Sequence, residues 1–189
     1  LVVAFGGIPL KNGQINAGGL GSHEQREGIE NASQHGVNFI NISPIKSDLH
    51  INSGEWVKIN PNSDVALILA LTFHLDDMKF VNHSFLKKYT VGYDKFINYV
   101  KGKVDGVSKD ADWASRITGI SVKKILNLAN KIGKARRTMI SVSWSLTRQD
   151  HGEQPFWGAI TLASMLGQIG LPGGGIGFGY SAVNSVGNN

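Results

Sequence analysis

Residues 143–155 read Ser143-Trp144-Ser145-Leu146-Thr147-Arg148-Gln149-Asp150-His151-Gly152-Glu153-Gln154-Pro155. An indole, a guanidinium, an imidazole and two carboxylates are crowded into one short connection between an expected strand and an expected helix, which is where open α/β sheets hold their ligands. Singly, Trp144 fits a core aromatic, Arg148 and Asp150 a solvated pair, and His151 a satisfied loop histidine. Together they point to a bound ligand. The six histidines, His23, His35, His50, His74, His83 and His151, are scattered and form no metal-ligand spacing, and no Ser-His-Asp arrangement can be argued. The chain contains no cysteine, so thiolate ligation, disulfides and thiol nucleophiles are excluded. No metal ligand and no catalytic residue is assigned within these residues.

The elements that must position this run follow from hydrophobic periodicity. Residues 1–7 read as a buried strand ending in Gly6-Gly7, and residues 37–42 as a second, with a helix over 24–34 between them. That is a βαβ unit, hence a parallel pair with a right-handed crossover. Residues 55–59 read as a short third strand or an extended segment. Pro61-Asn62-Ser63-Asp64 then opens a helix in which Val65, Ile68, Leu69, Thr72 and Phe73 share a face, and Asn62, Ser63 or Asp64 can cap its free amides. Residues 77–119 read as short helices inserted between sheet elements, with Phe80, Phe85, Leu86, Tyr89, Tyr93, Phe96 and Tyr99 as expected core. Ser121 starts an amphipathic helix with Val122, Ile125, Leu126, Ala129 and Ile132 at helical spacing, ended by Gly133. Residues 137–144 are the next strand, which delivers Trp144 at its end. The helix that follows, to Ile169, is apolar on several sides and expected to be buried. The expected fold class is α/β, a Rossmann-like, mostly parallel sheet with flanking helices.

The 189 residues, 41% hydrophobic, suffice for one well-buried core. The opening on a strand pattern and the ending in a polar loop are read as those of an internal segment of a larger multidomain enzyme. The net charge of +5 allows an anionic partner. Its lysines and arginines are dispersed, without interleaved aromatics or a reader motif, so nucleic acid is not expected. Residues 157–169 are too short an apolar run to cross a membrane. Gly133-Lys134 lacks the preceding glycine and the following Ser or Thr of a phosphate loop. Residues 18–21 and 173–179 are glycine-rich without the dinucleotide fingerprint spacing, and the second run is expected to stop a helix and pack tightly.

Four ordered segments carry a resemblance to a known family. They are Phe5-Gly6-Gly7-Ile8-Pro9-Leu10-Lys11-Asn12, Asn41-Ile42-Ser43-Pro44-Ile45, Asn60-Pro61-Asn62-Ser63-Asp64-Val65, and residues 143–155 with Gly170-Leu171-Pro172-Gly173-Gly174-Gly175. The chain resembles the molybdenum enzymes of the dimethyl sulfoxide reductase family, in the branch of biotin sulfoxide and trimethylamine N-oxide reductases. The resemblance implies that all 189 residues belong to an α/β region binding molybdopterin guanine dinucleotide, two of which hold molybdenum. It implies a pterin or phosphate contact for Lys11, and a nucleotide-pocket wall at Ile42, Ser43 and Pro44. It further implies the guanine end at Asn62, Ser63 and Asp64, and a pterin contact for Trp144, Ser145 and Arg148, with His151 and Gln154 nearby. The residue types suit these roles: glycines admit a pyrophosphate, a lysine gives it a compact cation, and an aspartate takes the paired donors of a guanine edge.

Ser43 stands where Asn or Asp is common in that family, and Thr147 where Gln is common. The implied activity is reduction of an S-oxide or N-oxide by oxygen-atom transfer, as in anaerobic respiration, with a cytochrome or reductase as electron donor and either the bacterial cytoplasm or periplasm as compartment. The metal ligand, typically a serine, lies on a segment these residues do not contain, so the segment alone is expected to be inactive. The main competing reading is a Rossmann-like domain binding an ordinary nucleotide in a dehydrogenase or transferase. It predicts an acidic residue ending the second strand, where Ser43-Pro44 stand instead. A basic, non-catalytic binding module would leave residues 144–155 without a role.

Overall fold

The computed structural model describes residues 1–13, 24–52 and 54–178. Its centre is a five-stranded sheet of β1 (Val2–Phe5), β2 (Phe39–Ile42), β3 (Glu55–Val57), β4 (Met139–Val142) and β5 (Gly175–Phe178), in the order β3-β2-β1-β4-β5. Every pairing is parallel, with Val2 opposite Phe39 on one side and Met139 on the other. The α/β class expected from the sequence is the class observed.

Strand alternation divides the core between the two faces of the sheet. Val3, Phe5, Ile40, Ile42, Ile140 and Val142 point to one face, where they join the main core with α2 (Asp64–Asp77), α5 (Ala111–Thr118), α6 (Val122–Lys134) and α7 (Gln154–Leu166). Phe39 and Val2 point to the other and pack with Ile29 of α1 (Gln25–Gln34) and Leu49. α2 is buried on nearly all sides, through Ala66, Leu67, Ile68, Ala70, Leu71 and Leu75, as its near-continuous apolar sequence requires. α6 is amphipathic: Ile125, Leu128, Ala129 and Ile132 are buried, and Lys131 and Lys134 lie in the last turn, favourable to the helix dipole. Glu55 of the edge strand β3 receives Lys124 and Lys131 of α6, which ties that edge to the helical layer.

Three local expectations are corrected. Gly175–Phe178 is a strand, not only a helix stop: Gly175 and Gly177 are buried and pair along β4 opposite Met139 and Ser141. The aromatic stripe of residues 80–99 is only partly core, because Tyr89 is 63% and Tyr99 39% exposed. It lies on α3 (His83–Tyr89) and α4 (Tyr93–Val100), both on the outside of α2 and α7, and Tyr93 hydrogen-bonds through its hydroxyl to Asp76. α7 is buried on all sides over Leu162–Leu166 as expected, but its first half exposes Trp157 and Ile160. Capping also differs in detail. Ser63 and Ser121 stand at the expected N-caps but make no side-chain cap bond, whereas Asp110 accepts from the Trp113 amide at 2.9 Å and caps α5. The glycine run at residues 18–21 lies outside the described residues.

Candidate functional site

The strand order reverses between β1 and β4, and the segments leaving these two strands meet there. Gly6 and Gly7 follow β1 with φ of +79° and +72°, a region that side chains with a Cβ rarely enter. A Cβ on Gly6 would stand 2.7 Å from Ser143 Cβ and 2.9 Å from Ser145 Oγ, so the backbone of the first turn runs directly against the second. Ser143 leaves β4 with its amide on the Phe5 carbonyl and accepts the Ser145 hydroxyl at 3.1 Å. Residues Trp144–Thr147 then form one 3-10 turn, anchored by buried Leu146. This anchoring turns Trp144 outward: it is half exposed and stacks on Phe178 at the end of β5, at 5.4 Å and 22°. Phe156 braces Phe178 edge-on at 4.9 Å. Arg148 is exposed and forms no ion pair among the described residues.

A second convergence lies beside the first. α2 and α7 both begin at the carboxyl edge of the sheet, and a cavity of about 420 Å³ opens between their first turns, lined by Asn62, Val65, Asp150, His151 and Gln154. The positive dipole ends of both helices face the cavity and favour an anionic occupant, and α2 adds free first-turn amides, whereas in α7 Gln154 already donates to the His151 carbonyl and Pro155 has no N–H. Ser63 does not consume these amides, because its hydroxyl donates instead to the Asn60 carbonyl at 2.6 Å. His151 sits at φ +54°, 3.8 Å from the carboxylates of both Asp150 and Glu153.

Asp64, between the lining residues Asn62 and Val65, is the unusual group. It is buried, its Oδ1 has no hydrogen-bond partner, and burial pushes its carboxyl up to about 6. An unpaired carboxylate oxygen withdrawn from water is costly unless something donates to it. The donor set therefore suits a nucleotide-like group. It combines a side-chain-free turn, two helix starts, a buried acceptor for paired N–H donors, and an indole and an unpaired guanidinium for a flat heterocycle.

The remaining residues singled out in the sequence are more dispersed. Lys11 is exposed on the 3-10 turn Leu10–Gly13 that follows β1. Ile42 has its side chain wholly within the main core, so only its backbone can face a ligand. Ser43 is buried: its hydroxyl donates to Asp48 at 2.5 Å and accepts from the Ile45 amide, while its carbonyl accepts the Trp56 indole N–H. Pro44 is exposed beside it. Asp150, part of the run singled out in the sequence, lines the cavity, whereas Asp48 and Phe178, as neighbours of the strand ends, were not singled out for the site. Asp48 lies six residues past the end of the strand it approaches, and Phe178 sits in a strand too rich in glycine to be read as one. Among the described residues no cluster of His, Asp or Glu could hold a metal ion, and no helix is long and apolar enough to cross a membrane.

Comparison with known proteins identifies the family. A family model described as molybdopterin oxidoreductase matches residues 22–188. The chain is 42% identical over 187 residues to biotin sulfoxide reductase of Cereibacter sphaeroides, covering 98% of this chain and 25% of that protein. It is 45% identical over 150 residues to trimethylamine-N-oxide reductase of Haemophilus influenzae, covering 79% and 18%. It is 37% identical over 181 residues to dimethyl sulfoxide/trimethylamine N-oxide reductase of Rhodobacter capsulatus, covering 95% and 22%. The chain thus spans a quarter or less of these relatives. Among solved structures, acetylene hydratase from Pelobacter acetylenicus superposes with a TM-score of 0.67 over 88% of this chain and 21% of that one, at 17% identity, which shows a shared fold.

Proposed function

Because the chain belongs to the molybdopterin oxidoreductase family, we propose that its strand-end edge holds a molybdopterin guanine dinucleotide in an enzyme that reduces S-oxides or N-oxides. A molybdenum–pterin cofactor follows from the family itself. The guanine dinucleotide form, its pairing around one metal and the activity are our reading. When bound, the group supplies two-electron oxygen-atom transfer. Overall, an S-oxide or N-oxide becomes a sulfide or amine and water, with two electrons and two protons delivered from a cytochrome or reductase donor. Biotin sulfoxide, methionine sulfoxide, dimethyl sulfoxide and trimethylamine N-oxide are the substrates to test.

The observation that carries the proposal is Asp64, a buried carboxylate with an unpartnered oxygen beside a cavity between two helix starts. In this reading Asp64 accepts the paired N–H donors of guanine, with Asn62 and Ser63 shaping that end. The amides opening α2 receive phosphate oxygens, and α7 adds the positive end of its dipole. The Gly6 turn lets backbone approach the dinucleotide, and exposed Lys11 supplies a cation. Ile42, Ser43 and Pro44 form the wall at the end of β2, the first two through backbone and internal hydrogen bonds. Trp144 gives a flat face to the pterin, Arg148 a planar set of donors, and Ser145 holds the turn that presents both.

The test is molybdenum content, oxidised-pterin fluorescence and acid-released guanine nucleotide, measured on the protein purified from its own host. About one metal and about two pterins and nucleotides per chain are expected, together with reduction of at least one of the oxides named. A metal-free and pterin-free protein, from a host that fills its other molybdenum enzymes, would overturn the proposal in favour of an ordinary nucleotide-binding domain.

A further inference from the structure

We propose that Asp48 is the ribose-binding carboxylate of this edge, the side chain that accepts the vicinal hydroxyls of the nucleotide's sugar. The inference deepens the function proposed above and rests on it. In open parallel sheets that bind dinucleotides, the acidic side chain that takes the ribose hydroxyls stands at the end of the second strand, across from the glycine turn after the first. Here the residue directly after β2 is Ser43, which carries no charge.

The chain supplies the charge by folding back. After Ser43 the segment turns through the short 3-10 turn Lys46–Asp48, with the Asp48 amide donating to the Ile45 carbonyl. Two bonds from the Asn41 side-chain amide, to the carbonyls of Ile45 and Lys46, fasten this turn to β2. The Ile8 amide then donates to the Asp48 carbonyl at 2.7 Å, which fastens it to the segment after β1. Asp48 consequently lies against the glycine turn itself: a Cβ on Gly7 would stand 2.5 Å from Asp48 Cβ and 3.1 Å from Asn41 Oδ1. That Asn41 oxygen is buried and has no partner, so a second acceptor is left open at the same turn.

The carboxylate is oriented as well as placed. A carboxylate only accepts, so the proton on Ser43 Oγ must lie in its bond to Asp48 Oδ2, while the same hydroxyl accepts the Ile45 amide. This relay from Ile45 through Ser43 fixes one carboxylate oxygen. The other, Oδ1, receives no donor from the described residues, and Asp48 has no cation paired with it among them. A half-buried carboxylate with one oxygen held and one free among the described residues suits hydroxyl donors, which a vicinal diol provides without adding charge. The same relay gives Ser43 a role as a positioning residue, in a place where the family commonly uses Asn or Asp.

The experiment uses the protein purified from its host with its cofactor, as wild type, Asp48→Asn and Ser43→Ala. Guanine nucleotide and pterin per chain are followed during prolonged dialysis, and the melting temperature of each cofactor-free form is recorded. Asp48→Asn preserves volume and an acceptor for Ser43, so the expected result is an unchanged cofactor-free melt with guanine nucleotide lost about tenfold faster. Ser43→Ala is expected to show a smaller acceleration in the same direction. Retention in Asp48→Asn equal to wild type would overturn the proposal. So would a fall in cofactor-free melting that parallels the loss of nucleotide, which would make Asp48 a turn clamp. Wild type lacking guanine nucleotide altogether would instead remove the underlying functional reading, and that outcome is visible in the control alone.

Discussion

Under the proposed function, Asp64 concentrates the conflict between stability and binding in one side chain. Its carboxyl is pushed up to about 6 by burial, from an ordinary value of 3.8, so the folded chain holds this proton more tightly than the unfolded one. The stabilising contribution of the protonated form is present below pH 3.8 and is lost as pH rises through 6. At pH 7.5 the ionised group therefore costs the cofactor-free fold about 3 kcal/mol. Asp64→Asn should raise the cofactor-free melting temperature at pH 7.5, lose that advantage by pH 4, and retain guanine nucleotide poorly. Paired melts at the two pH values, with nucleotide content, check all three, and an unchanged melt at pH 7.5 would show the carboxylate to be satisfied. Gly6 gives a second residue-level prediction. Its positive φ and the contact with Ser143 and Ser145 leave no room for a methyl group. Gly6→Ala should lower stability by about 2–4 kcal/mol, read from the urea midpoint. A change under about 0.5 kcal/mol would mean that the two turns are not in fixed contact.

At the scale of elements, one histidine links two helices. His74 Nε2 of α2 accepts the Ala111 amide at the start of α5 at 3.1 Å, which requires the neutral ring. Burial lowers its pKa, against the opposing pull of Asp77, Asp110 and Asp112. The unfolded chain therefore takes up this proton first, and the stability held by neutral His74 is lost as pH falls below about 6.5. His74→Gln offers an acceptor that does not titrate. It should flatten the decline in melting temperature between pH 7.5 and 5, and an unaltered slope would assign that decline to other groups. Elements of this kind were largely legible in the sequence. α1, α2 and α6 announce themselves by periodicity, and β1, β2 and β4 by short apolar runs between turns. β5 was not legible, because half of its residues are glycines and its pairing with β4 is supplied by tertiary contact. In the site, residue type drew attention to Asp64, Trp144 and Arg148. The place of Asp48 was hidden because a 3-10 turn, with no signal in sequence spacing, returns it to the strand end. The exposure of Tyr89 and Tyr99 was hidden for a related reason, since aromatic content does not reveal which side of a short helix lacks a neighbour.

At the scale of the whole molecule, the site is built from the ends of separate strands, and each anchoring element belongs to the same layered core. A ligand that touches residues 60–66 and 143–154 together should make their opening depend on its presence. Removing the molybdenum–pterin group should speed amide exchange in both segments and leave the β1–β2 core unchanged. It should also lower the melting temperature, by the equivalent of about 4 kcal/mol if the group is held at a thousand times its dissociation constant. Exchange that rises uniformly would place the effect in global stability instead. The position of β1 has one more consequence, which concerns synthesis. β1 is central in the sheet, yet its Val2 pairs with Met139, 137 residues later. At ribosomal rates about ten seconds separate the emergence of these two partners. During that interval β1 can pair with β2, but its other edge has no strand to meet, and the crevice between the first and fourth strands does not yet exist. A nascent chain must therefore keep an apolar strand edge from other chains before that crevice forms, and under the proposed function cofactor loading follows the docking of β4.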